Sequence, residues 1–64
     1  MPIEQIAEKV LEDLHDQKPH EFSEVIQKIA KETSAYPADV KSAVLGLLRR
    51  QKVEMTDDFK VKLP

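Results

Sequence analysis

No cysteine occurs in these 64 residues, so neither a disulfide nor a thiolate metal site can brace a core that a chain this short only just supplies. Glycine occurs once, at Gly46, which leaves no glycine-rich loop to cradle a phosphate. No apolar run approaches the roughly 20 residues that span a bilayer, and no signal peptide is visible. The expectation is a domain that avoids the membrane and works in the cytoplasm, or in the nucleus if its source is eukaryotic. No serine is paired by spacing with a histidine and an acid, and a chain of this length is too small to enclose a sizeable pocket, so no enzyme activity is expected. The imidazoles, His15 and His20, stand five apart across Pro19. Zinc needs more ligands at closer spacing, and we expect neither metal nor cofactor.

What is present fits one globular domain over residues 1–64. Hydrophobic residues make up 41% and charged residues 34%, too apolar a balance for a disordered tail. The formal net charge of −2 hides an asymmetry. Up to Ser34 eight acids face four bases, and from Ala35 onward six bases face four acids, so the two parts carry −4 and +2. A positive end on the second half is compatible with a polyanionic partner.

Taken in order, Pro2 suits the first turn of a helix. Ile3, Ile6, Ala7, Val10, Leu11 and Leu14 then recur at the spacing of one helical face. This helix is expected over about residues 2–17, because Lys18 precedes Pro19 and is pushed out of the α region. Ser23 is read as the N-cap of a second helix over about 23–33, with Val25, Ile26, Ile29 and Ala30 as its apolar stripe and Phe22 entering the core just before it. Pro37 opens a third helix over about 37–51, with Val40, Ala43, Val44, Leu47 and Leu48 facing inward. Gly46 in its middle costs about 1 kcal/mol against alanine. Over 53–63 the period changes to 2, with Val53 and Met55, then Phe59, Val61 and Leu63 on one side, and Lys60 and Lys62 on the other. Asp57-Asp58 joins the two strands and leaves the turn type open.

Val40, Ala43-Val44, Leu47-Leu48 and Lys52-Val53 resemble the stretch from the third helix into the wing in winged helix-turn-helix domains. With the two upstream helices the resemblance covers essentially the whole chain. It implies an α+β, mostly α fold, a three-helix winged helix-turn-helix with a C-terminal two-stranded β-hairpin wing. It also implies a short strand near Phe22 against the wing, helix three in a groove, and the wing along the backbone. Gln51 departs from the family, standing where a glycine commonly ends the third helix.

Around helix three the face opposite the core holds Ala38, Ser42, Leu45, Gly46 and Arg49, with Lys41 and Arg50 on the flanks. Two functional readings follow. In the first, Tyr36, Lys41, Ser42, Arg49, Lys60 and Lys62 contact double-stranded DNA, weakly and with strong salt dependence, in a regulatory role such as transcription control. In the second, Ala38, Ser42, Leu45, Gly46 and Arg49 form a smooth strip for a protein partner, either a second copy or another protein. Tyr36 is read equally as a partly buried staple against helix three. Glu8, Glu12, Asp13 and Asp16 read as the solvated face of helix one, and Lys60 and Lys62 also serve to guard a sheet edge.

Overall fold

The computed structural model describes residues 3–64; the expected placement of Pro2 lies outside them. Helix α1 spans Ile3–Asp13 and buries Ile6, Ala7 and Val10, the inward stripe that the spacing marks out. Ile3, at the edge of that stripe, is half exposed. The chain then tightens into a 3-10 turn over Leu14–Asp16, with Leu14 buried. Gln17 adopts a left-handed φ of 61° and donates its N–H to the Leu14 carbonyl. The α-helix therefore stops sooner than expected, in a tightened turn ahead of Lys18-Pro19.

Strand β1 is His20–Glu21, and helix α2 follows directly over Phe22–Thr33. Ser23 is not the cap. Glu21 holds the N-cap position, without a side-chain hydrogen bond, and Ser23 falls in the first turn. The reason lies in the sheet: Phe22 N–H donates to the Phe59 carbonyl at 3.0 Å, so the strand pairing runs straight into the helix start and leaves no free residue before it. Ser34, left-handed at φ 57°, closes α2.

Helix α3 spans Pro37–Arg49 and buries Val40, Ala43, Val44 and Leu47. It begins with the Tyr36 carbonyl accepting from Asp39 and Val40 N–H at 2.9 and 3.1 Å. Its end is a Schellman closure: Gln51 N–H donates to Leu48 O at 3.1 Å and Lys52 N–H to Leu47 O at 2.9 Å. Gln51 takes the left-handed residue of that motif, φ 60°, the place where glycine is usual.

Strands β2, Glu54–Met55, and β3, Lys60–Lys62, complete an antiparallel sheet of three strands in the order β1-β3-β2. The register sets His20 beside Val61 and Glu21 beside Lys60 on one side of β3. On the other side Glu54 pairs with Lys62 and Met55 with Val61. The sheet packs chiefly on α2, while α1 packs chiefly on α3. One apolar cluster joins them all, with Ile6, Val10, Ile29, Val40, Val44 and Val61 fully buried.

Phe59 breaks the expected alternation. Val61 is buried and Leu63 packs against the core, but Phe59 is 70% exposed. Its φ of 60° takes it out of the extended conformation, and a left-handed residue at a strand end turns its side chain off the sheet's inner face. The joint is a three-residue loop, Asp57-Asp58-Phe59, with Phe59 N–H donating to Thr56 O at 3.0 Å and Thr56 N–H to Lys60 O at 2.8 Å. That is a turn followed by a bulge, and the bulge position is the one that favours glycine.

Candidate interaction surfaces

Helix α3 presents one face to the core and one to solvent. Ala38, Lys41, Ser42, Leu45 and Arg49 are exposed on the outer side, with Gly46 half-buried among them. Leu45 is 39% exposed. Among the described residues, a Cβ placed on Gly46 meets no atom within 4 Å, so none of them requires glycine there. Lys41 and Arg49 have no carboxylate partner among the described residues. Arg50, on the flank, turns its Nε towards the Gly46 carbonyl at 3.4 Å.

Tyr36 stands at the head of α3 and is 78% exposed. It is not a staple: the backbone before Pro37 is extended, at φ −71° and ψ 141°, as the residue preceding proline must be, and the ring is left in water.

Lys60 and Lys62 belong to a different surface. They share the outer face of the sheet, because Val61 between them points inward. There Lys62 Nζ lies 3.8 Å from Glu54 Oε2 and Lys60 Nζ 3.5 Å from Asp58 Oδ2, with Glu21 across the strand from Lys60. The two lysines are thus matched by acids, and the sheet's outer face carries little net positive charge. The hydroxyl of Thr56 donates to Asp58 Oδ1 and accepts from Lys60 N–H at 3.0 Å. This hydroxyl, together with Lys60, holds the Asp58 carboxyl below its usual range.

Of the acids read as the solvated face of helix one, Glu8 and Glu12 stand exposed, whereas Asp13 and Asp16 are tied to other elements. Asp16 accepts from His20 Nε2 at 3.0 Å and from Lys18 N–H at 3.0 Å, and these bonds, the His20 one foremost, lower its pKa. Asp13 faces Lys28 of α2 at 3.7 Å, and Lys9 faces Glu32 at 3.5 Å. These contacts fasten α1 to α2. No group of three or more potential ligands that could hold a metal is found among the described residues, and no described helix is long and apolar enough to cross a membrane.

Of the residues singled out from sequence, Lys41, Ser42, Leu45, Gly46 and Arg49 therefore share one face, whereas Lys60 and Lys62 sit on a separate element. Sequence reasoning missed Phe59 as an outward-facing residue. The available signal was a three-residue loop with no glycine to fill its left-handed position. Comparison of the chain with family models, with curated proteins and with solved structures gives no match.

Proposed function

We propose that the chain is a winged helix-turn-helix domain that binds double-stranded DNA weakly, by charge rather than by base sequence, through α3. The supporting observation is the outer face of α3, where Lys41 and Arg49 stand exposed with no carboxylate partner among the described residues. The order helix, short strand, helix, helix, hairpin is what the resemblance implies. Strong base readout is not part of this reading. The first half of α3 offers Asp39, Lys41 and Ser42, without the Arg, Asn or Gln that make bidentate bonds to base edges.

Titration of duplex DNA across a salt series tests the proposal and counts its contacts. Two phosphate contacts, from Lys41 and Arg49, give a slope of log K against log salt near −1.8, by roughly −0.9 per neutralised phosphate. Participation by Lys60 and Lys62 as well raises it to about −3.6, and requires both lysines to leave their carboxylates. No binding at low salt overturns the proposal.

A second reading has its own observation. Leu45 is exposed beside a glycine with open space above it, a shape that admits another helix at close range. In that reading the domain is a dimerisation or docking module. Sedimentation of the wild type and of Leu45→Glu separates the two: a monomer in both removes the homodimer.

A further inference from the structure

The hairpin turn holds a residue whose type no core contact among the described residues explains. Phe59 is bulky, the residue is 70% exposed, and its φ is 60°, in the region that side chains other than glycine rarely enter. An exposed aromatic in a left-handed position gains little burial and keeps its backbone strain. The turn is nonetheless firmly held. The Phe59 carbonyl accepts from Phe22 N–H, its own N–H reaches Thr56 O, and the Thr56 hydroxyl bridges Asp58 and Lys60 N–H. A strained, exposed ring on a well-fastened backbone is pre-organised for contact.

The charges around it define what it fits. Asp57 and Asp58 precede it, Glu21 lies across the sheet beside Lys60, and Glu24 lies in the first turn after Phe22. Glu21, Glu24 and Asp57 have no cationic partner among the described residues, while Lys60 is matched by Asp58 and Lys28 by Asp13. Phosphates are repelled by such a surface, and a cation is drawn to it. We propose that the Phe59 turn docks a basic segment of a partner protein, with an arginine guanidinium stacked on the ring and the surrounding carboxylates taking its charge. This surface does not include α3, so the inference stands independently of the DNA reading.

The test follows amide shifts of the isotope-labelled domain on adding hexa-arginine, hexalysine or hexaglutamate peptides, and duplex DNA. The expected result is shifts centred on residues 20–24 and 56–60 with the arginine peptide, binding about 2-fold to 5-fold tighter than the lysine peptide, as a guanidinium stacked at an exposed site provides. Phe59→Gly is expected to melt several degrees higher while losing that preference, which separates docking from folding. Phe59→Leu keeps a side chain in the same backbone state without a π face, and loses the preference too. Equal binding of the two cationic peptides, an unaltered Phe59→Leu variant, or shifts lying elsewhere would overturn the proposal. DNA that moves the Phe59 amide would overturn it also, by assigning the turn to nucleic acid.

Discussion

The outer faces of α3 and of the hairpin differ in a way that composition hides. On α3 the backbone is regular helix and the cations Lys41 and Arg49 are uncommitted. On the hairpin the cations Lys60 and Lys62 are matched by Asp58 and Glu54, and the backbone carries a left-handed phenylalanine. Free charge on a relaxed helix acts at a distance and is screened by salt. The matched pairs on the hairpin add little field of their own. The acids without a cation among the described residues, Glu21, Glu24 and Asp57, therefore set the sign there, and the strained turn fixes a shape. The sharpest way to break the contrast is to ask whether α3 has two faces at all. Leu47 is 2% exposed and Leu45 39%. Leu47→Ala is expected to destabilise by about 2–5 kcal/mol, enough to unfold much of a domain this small. Leu45→Ala is expected to stay within about 0.5 kcal/mol. Urea unfolding of both variants measures the difference, and equal losses would mean that α3 has no free face.

Backbone strain supplies the next largest effects. Left-handed φ values occur at Gln17, Ser34, Gln51 and Phe59, and the single glycine sits at Gly46 inside a helix with open space around it. The substitutions Gly46→Ala, Gln51→Gly and Phe59→Gly are each expected to stabilise by about 1 kcal/mol. Melting temperatures should rise by about 4–8 °C each in a domain of this length. A drop for Gln51→Gly would mean that the glutamine side chain contributes more than its backbone costs.

These positions also show where the sequence is legible and where it is not. The inward stripes of all three helices follow from spacing alone, because burial selects for one face and periodicity reports it: Val40, Ala43, Val44 and Leu47 are buried as the spacing requires. Turn chemistry is announced mainly by glycine, and this chain puts other residues into its turns. The end of α3 at Gln51 is legible only through the family resemblance, which sets a glycine at that place, whereas no glycine announces the bulge at Phe59 and the period-2 reading carries Phe59 inward by default. Ser23 misled for another reason. It looks like a cap by type, but the β1–β3 pairing brings the helix start forward to Phe22, and only tertiary contacts reveal that. Which cations are free was equally hidden, since Lys41 and Lys60 are alike in sequence and differ only in whether a carboxylate stands within reach.

The matched charges on the sheet have a smaller effect on stability. Lys62 and Glu54 are 39% and 54% exposed at their side chains, so water screens their attraction. Glu54→Gln is expected to destabilise by about 0.2–1 kcal/mol at low salt and by less at high salt. The same change should strengthen DNA binding if Lys62 is thereby freed to meet phosphate, and leave it unaltered if α3 alone makes the contact. One variant thus reads both stability and the extent of the binding face.

The pH dependence of the turn gives the gentlest test, and its sign is fixed by Asp58. Hydrogen bonding from the Thr56 hydroxyl, then the nearby Lys60, lowers this carboxyl below its unfolded value of 3.8. A carboxyl depressed in the folded state stabilises above the unfolded pKa, and that contribution fades as pH falls through the folded pKa. Asp58→Asn is therefore expected to melt slightly below the wild type from pH 5 to 7, the gap closing as the pH drops below 3.8. Thr56→Val removes the hydroxyl while leaving the carboxyl, so in that variant the Asp58 titration followed by NMR should move up towards the ordinary value. A midpoint unmoved by Thr56→Val would mean that the hydroxyl does not hold the carboxylate. The firm seating of Phe59 would then have to come from the Phe22 and Thr56 backbone bonds alone, and the hairpin would lose the rigidity that sets it apart from α3.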